Sequence, residues 1–368
     1  MFRLNPQKNR KRGQWNPVLL ALLTFTLLLV CGCSILTYAY YNIHQPLTQL
    51  IHQVSRGQNE PDISAYDGSI AGRAWNILLM GSDDDGKYSF PALLTQVMMV
   101  VHVDPVNNSA SLVSIPRDSW VSIPEIGEMH KIDQAFLLGA SQGKRFDNGV
   151  RLARLTVEKD YGINIDRYAW VGLSGFAHVI DTLGGVDIDL THPVVDDNYP
   201  ADTGRGTNPK DPYALERLSL ASGPQHLDGQ QALEYVRSRH ADLVGDIGRT
   251  QRQQQVLEAL KKKLTVTSIL SNLSQLFKDL KGQVYTDLGE QEMIAFANFG
   301  RSLPNSAIQH ITLGPGHSDQ NFGSYENVYD PLLRSTQSVI VPNCNVIQPM
   351  LNNIFALGNV QSCNVNGT

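Results

Sequence analysis

The chain has 368 residues, 42% of them hydrophobic and 18% charged, with a formal net charge of −5. That length buries one large core or two modest ones. A near-neutral balance excludes the broad basic face of a nucleic-acid binder, and the scattered histidines and cysteines give no zinc-ligand spacing.

The charge is unevenly spread. Arg3, Lys8, Arg10, Lys11 and Arg12 all precede the first acidic residue, Glu60. Residues 17–41 then carry no charge and are mostly Leu, Val, Ile, Thr, Ala and Tyr, longer than the roughly 20 residues a helix needs to cross a membrane. Basic flanks stay cytoplasmic, so residues 1–16 read as a cytoplasmic tail, 17–41 as a transmembrane anchor and the body as extracytoplasmic. A cleaved signal peptide, or a lipid-modified Cys33 after Val30-Cys31-Gly32, would also give an exported body. Residues 42–73 are polar and read as a stalk.

The body opens with an apolar strand over 75–80 that runs into Gly81-Ser82-Asp83-Asp84-Asp85, the kind of strand end where α/β proteins place ligand chemistry. A second strand is expected over 97–103. Asn107-Asn108 turns it into a third over 110–115, which ends at Pro116-Arg117-Asp118. Helices follow over 147–161, stopped by Gly162, and over 174–183. Residues 186–190 alternate as a half-exposed strand does, and 196–213, rich in Asp, Gly, Pro and Asn, read as a long surface loop. Asp228 suits the N-cap of a helix over 230–236. The longest helix covers 246–264, with Arg249, Arg252 and Gln253 on one face. Residues 271–280 and 290–299 also read as helices. A looser tail, 314–368, holds Cys344 and Cys363, the two cysteines of the exported body, which read as one disulfide. Strands and helices mixed over 74–313 predict one α/β domain.

Tyr235-Val236-Arg237-Ser238-Arg239 and the following Asp246, Arg249, Arg252 and Gln253 concentrate arginine where the apolar pattern predicts packing. Arginine in a core calls for an anionic, multidentate partner, and a phosphate or pyrophosphate is the commonest. Arg237 and Arg239 stand two apart beside a predicted core helix, where leaving charge unpaired is costly. The plainer alternatives are solvated or salt-bridged arginines and a turn-forming Asp83.

Together with Asn76-Ile77-Leu78-Leu79-Met80-Gly81-Ser82-Asp83, Ser114-Ile115-Pro116-Arg117-Asp118, Lys131-Ile132-Asp133 and Asp181-Thr182-Leu183-Gly184-Gly185-Val186, these blocks resemble the LytR-CpsA-Psr family, in order over residues 75–265. The resemblance implies a single α-β-α domain with a central mixed sheet flanked by helices, behind one N-terminal transmembrane helix. It implies a cell-wall phosphotransferase that moves a glycopolymer from a polyprenyl-pyrophosphate carrier to peptidoglycan. The product is a phosphodiester at a muramic acid hydroxyl, and polyprenyl phosphate is released. By the same resemblance Asp83, Arg117, Arg237, Arg239, Asp246 and Arg249 are catalytic, with Mg²⁺ on Asp83. Asp118, Lys131, Arg252 and Gln253 bind substrate. The partners implied are the lipid-linked glycopolymer, peptidoglycan and the membrane, with no nucleic acid.

The chain departs from the family where an Arg-Ser/Thr-Asp-Thr block is common, reading Leu94-Thr95-Gln96-Val97 instead, and Asp133 stands where asparagine is common. A glutamine carbonyl is a weaker Mg²⁺ ligand than a carboxylate, so either Asp84 or Asp85 compensates, or the metal is bound weakly, or catalysis is lost. This motivates a second reading, a non-catalytic binder of polyprenyl lipid or wall polymer. A third is a polyprenyl-pyrophosphate hydrolase.

Overall fold

The computed structural model describes residues 51–54, 66–82, 90–201, 214–238, 246–263, 284–316, 321–331, 333–356 and 363–366. The expected anchor, most of the stalk and the expected helix over 271–280 lie outside them. No helix among the described residues is long and apolar enough to cross a membrane. All the described residues belong to one compact unit, Leu47–Thr368.

Three consecutive strands, β1 (Trp75–Ser82), β2 (Thr95–Asp104) and β3 (Ser109–Ile115), form an antiparallel meander. A hairpin of β4 (Trp120–Ile123) and β5 (Glu128–Lys131) leads to α1 (Gln134–Ser141) and α2 (Phe146–Tyr161). Then come β6 (Arg167–Val171), α3 (Leu173–Thr182), β7 (Val186–Leu190), β8 (Val194–Pro200), β9 (Leu215–Leu220) and β10 (Gly223–Leu227). Two helices follow, α4 (Gly229–Arg237) and α5 (Asp246–Lys263), and after them β11 (Val284–Thr286), α6 (Glu290–Ser302) and β12 (Ile308–Thr312). The chain closes with the hairpin β13 (Gly323–Asp330) and β14 (Ser335–Pro342), then α7 (Cys344–Phe355).

The central sheet has the order β11-β6-β1-β2-β3-β12. It is mixed: β6 runs parallel to β1 and β12 parallel to β3, while the other pairs are antiparallel. Side chains alternate across a strand, so β1 presents Leu78 and Met80 to one face and Trp75, Ile77 and Leu79 to the other. Tyr168, Leu78, Val100 and Val113 form one buried row across four paired strands. Against that face α2 lays Val150, Ala153, Val157 and Tyr161, and Gly162 ends it in the left-handed region at φ 68°. On the opposite face Phe296 and Phe299 of α6 pack on Trp75 and Ile77. A second core joins α3, β7–β10, α4 and α5 through Ile180, Val186, Leu220, Leu233 and Val256. Helices on both faces of a mixed sheet match the expected α/β class.

The entry to α4 is tightly specified. Asp228 and Gln231 form a capping box, with Gln231 N–H donating to Asp228 Oδ1 at 2.7 Å and Asp228 N–H to Gln231 Oε1 at 3.1 Å. Gly229 lets α4 approach α3 closely: its N–H donates to Asp181 Oδ1 at 2.6 Å, and a Cβ there would lie 2.1 Å from the Ala177 carbonyl oxygen.

Two expectations need correction. Residues 196–200 are not loop: they complete β8, which pairs with β9 and turns Val194, Asp196 and Tyr199 inward. Their Asp and Asn content reads as a turn only while the partner strand, beyond 202–213, is unknown. The stretch 314–368 is not a loose tail either. Ile347, Leu351 and Phe355 of α7 pack into the main core, and the structure joins Cys344 to Cys363, with Cα atoms 5.4 Å apart. The disulfide seats Val365, whose carbonyl accepts from Ser122 N–H at 2.7 Å.

Candidate functional site

A cavity of about 590 Å³ opens on the face of the sheet that carries Leu79. Its floor is Leu79, Gly81, Gln96, Val97, Met99, Ala169 and Val171, and its walls come from α3, β8, α4 and α5. Gly81 sits on this floor where β1 and β2 lose register, and a Cβ there would press on Val97 Cβ at 3.0 Å.

The polarity of the cavity follows from helix phase. Arg249, Gln253, Leu257 and Leu260 lie on one stripe of α5, polar at its start and apolar at its end. At 1.5 Å per residue, Arg249 and Leu260 are roughly 16 Å apart along the axis. On α4, Leu233, Val236 and Arg237 likewise face the cavity. Leu173, Phe176 and Val179 of α3 extend the hydrocarbon lining. One elongated space thus offers guanidinium and amide groups at one end and hydrocarbon at the other.

Arg117, Arg237, Arg249 and Gln253, four of the sequence-predicted site residues, line this cavity together although they come from three separate segments. Arg117 follows β3 and donates from Nη1 to Gln96 Oε1. Its Nε lies 3.4 Å from Asp118 Oδ2, whose other oxygen accepts from Lys131 Nζ at 2.6 Å. Burial would raise the Asp118 carboxyl, but Arg117, with Lys131 and Arg249, outweighs it and holds the group below the usual carboxylate range. Asp118 and Lys131 therefore stand behind the cavity wall as a charged brace for Arg117. Arg237 sits 5.8 Å over the Tyr199 ring and donates to its hydroxyl at 3.5 Å. Arg249 is only 4% exposed.

Arg252 does not reach the cavity. Three residues beyond Arg249, it turns toward α4, where Nε donates to Tyr235 O at 2.7 Å and Nη2 to Ser238 O. It holds the end of the helix that carries Arg237. Asp83, Arg239 and the side chain of Asp246 lie outside the described residues.

Asp196 is the residue sequence reasoning missed. It is 1% exposed, lines the cavity, and accepts from Ser238 Oγ at 2.8 Å and Asn198 N–H at 3.0 Å. The inward alternation of Val194 and Asp196 was the available signal. Among the described residues the cavity thus carries three guanidinium groups against one carboxylate, an imbalance that suits a multiply charged anion.

The residue expected to hold Mg²⁺, Asp83, lies outside the described residues. Among the described residues no group of three or more His, Cys, Asp or Glu gathers. Gln96 Oε1 accepts from Arg117, and both Asp196 oxygens accept hydrogen bonds.

Comparison with known proteins agrees with this fold. The model of the LytR_cpsA_psr family matches residues 37–338. The "Polyisoprenyl-teichoic acid--peptidoglycan teichoic acid transferase TagU" of Bacillus mycoides (strain KBAB4) is 30% identical over 300 residues, 80% of this chain and 88% of that protein. Its namesake from Oceanobacillus iheyensis is 30% identical over 321 residues, 86% of this chain and 90% of that one. Among solved structures, protein gbs0355 of Streptococcus agalactiae superposes with a TM-score of 0.60 at 18% identity, covering 80% of this chain and 92% of that chain. The structure of "TagT bound to LI-WTA" gives 0.57 at 24% identity, covering 83% and 99%. These structures share the fold, and the match of the family model over most of the chain makes this protein a member of the LytR-CpsA-Psr family.

Proposed function

We propose that the protein transfers a glycopolymer from a polyprenyl-pyrophosphate carrier to peptidoglycan, outside a membrane to which residues 17–41 anchor it. The observation that carries this reading is a cavity lined by three arginines and by a stretch of hydrocarbon side chains, which suits the head and tail of a prenyl pyrophosphate. The relatives named as polyisoprenyl-teichoic acid–peptidoglycan transferases support the same class of reaction.

In this reading the acceptor hydroxyl oxygen, on muramic acid, forms a bond to the sugar-bearing phosphorus. The bridging oxygen departs with the prenyl phosphate and the hydroxyl proton passes to solvent, leaving a phosphodiester. Phosphoryl transfer needs positioning and charge stabilisation more than covalent chemistry. Arg117, Arg237 and Arg249 neutralise charge on the phosphate oxygens, while Asp118 with Lys131, Tyr199 and Gln96 fix the guanidinium planes. Arg239 adds a further guanidinium, and Asp246 orients the arginines. Mg²⁺ held by Asp83, as the resemblance implies, would add charge neutralisation at the pyrophosphate.

The test is incubation of the full chain with a prenyl-pyrophosphate oligosaccharide and peptidoglycan. Acceptor-dependent release of prenyl phosphate is expected, cut by about 100-fold in Arg249→Ala, the scale of losing a preorganised charged donor. Release without acceptor would identify a hydrolase. Binding without any release would identify the non-catalytic binder that Leu94 and Gln96 motivate.

A further inference from the structure

We infer that Asp196 is a positioning residue of the cavity: it ties a bulge in β8 that turns its own carboxylate and the Tyr199 ring to one face, where the two hold Ser238 and Arg237. The inference rests on the reading of the cavity as a prenyl-pyrophosphate site and concerns how Arg237 is aimed at that head group.

Side chains alternate across a strand, so residues three apart normally face opposite ways. Asp196 and Tyr199 are three apart, yet both are buried, at 1% and 0% exposure, while Asp197 and Asn198 between them are exposed. The pairing with β9 accounts for this. Asp196 pairs with Leu218 and Tyr199 with Glu216, so Asp197 and Asn198 together stand against the single residue Arg217. The extra residue reverses the phase of the strand, which is how a β-bulge re-aims a side chain. Asp196 itself ties the bulge, its Oδ1 accepting from Asn198 N–H at 3.0 Å.

The re-aimed pair grips the end of α4. Ser238 follows Arg237 and is the C-cap, where the backbone leaves the helix at ψ 135°. Its N–H donates to Glu234 O at 3.0 Å, its Oγ donates to Asp196 Oδ2 at 2.8 Å, and its carbonyl accepts from Arg252 Nη2. Helix α4, strand β8 and helix α5 thus fix the backbone from which Arg237 projects. Tyr199 then meets the Arg237 guanidinium with its ring and its hydroxyl. Ordering a long side chain at the moment of binding costs affinity, and fixing it beforehand removes that cost. A carboxylate in the wall of an anion site repels the anion, so the charge of Asp196 alone would weaken binding. Its hydrogen bonds to Ser238 and Asn198 give the residue a purpose that its charge does not.

The experiment measures binding rather than turnover. Geranylgeranyl pyrophosphate is titrated into the full chain by calorimetry, in one buffer, and each variant is also melted. Asp196→Ala should bind about tenfold more weakly than the wild type. Asp196→Asn keeps an acceptor for Asn198 and can bond Ser238 through its amide, so it should bind within about threefold of the wild type or more tightly. In an Arg237→Ala background the Asp196→Ala change should cost less than about twofold, because the group it positions is gone. Should Asp196→Ala fail to fold, Ser238→Ala removes the same bond and takes its place in the cycle. Asp196→Ala binding as well as the wild type overturns the inference, as does Asp196→Asn binding as poorly as Asp196→Ala. A loss of about tenfold that persists in the Arg237→Ala background marks general damage to the cavity and overturns it too. In each of these cases the wild type still binds and the prenyl-pyrophosphate site stands. A wild type that does not bind overturns that site and the inference with it.

Discussion

Replacing Arg252 by alanine removes two charged donors from the end of α4, one 2.7 Å from Tyr235 O and the other bonded to Ser238 O. Arg252 is 4% exposed, so water would replace these bonds poorly. A hydrogen bond to a charged group contributes about 1.5–3 kcal/mol, which puts the pair at roughly 3–6 kcal/mol. Part of this is offset, because burial lowers the basicity of this guanidinium and its removal relieves that desolvation. A net loss of about 3 kcal/mol is expected. At about 2 °C per kcal/mol for a large domain, Tm should fall by roughly 6 °C. Arg237 sits at the same helix end, so affinity for geranylgeranyl pyrophosphate should also drop, by about tenfold. Calorimetric melting and titration of one preparation read both effects. Arg252→Lys, able to serve one carbonyl, should fall between. A melting point within about 2 °C of the wild type, with binding unchanged, would refute the brace.

Two further predictions concern parts of the fold away from the cavity. Burial pushes the Asp160 carboxyl up to about 9, so the folded state binds its proton more tightly than the unfolded chain. Its contribution to stability should therefore be fully present below about pH 4 and be lost as pH rises toward about 9. Asp160→Asn should flatten that decline and gain about 1–3 kcal/mol near pH 8 in urea unfolding; equal slopes in the two proteins would contradict this. Cys344 and Cys363 are 19 residues apart, and closing such a loop is worth about 3 kcal/mol. The double serine variant should lower the denaturation midpoint accordingly and be insensitive to reductant, and an unshifted midpoint would count against it.

Much of the architecture was legible because its signals are local. The strands β1 to β3 are apolar runs bounded by turn residues, and the stripe of α2 and the cap at Asp228 need no tertiary knowledge. Arg237 and Arg249 stood out because arginine inside an apolar pattern calls for an anionic partner, whereas Arg117 joined them only through the family resemblance. Helix phase alone could not separate Arg249, which faces the cavity, from Arg252, which faces α4, because the neighbouring helix decides. Asp196 was hidden by the turn-like composition of its strand. In α7, Pro349 and three asparagines mask a helix whose Ile347, Leu351 and Phe355 are spaced for burial. Packing overrides local propensity there.

The place of α7 also bears on how the protein comes to be folded. Its Phe355 ring meets His102 at 5.0 Å, and Ile347 and Leu351 join the core that Leu78, Val100 and Val113 begin. Those early strands therefore leave the ribosome long before the helix that completes their cover. Closure over so great a separation is slow, and the waiting strands are prone to aggregation. A gene cut after residue 343 would encode an unfinished molecule rather than a shorter one.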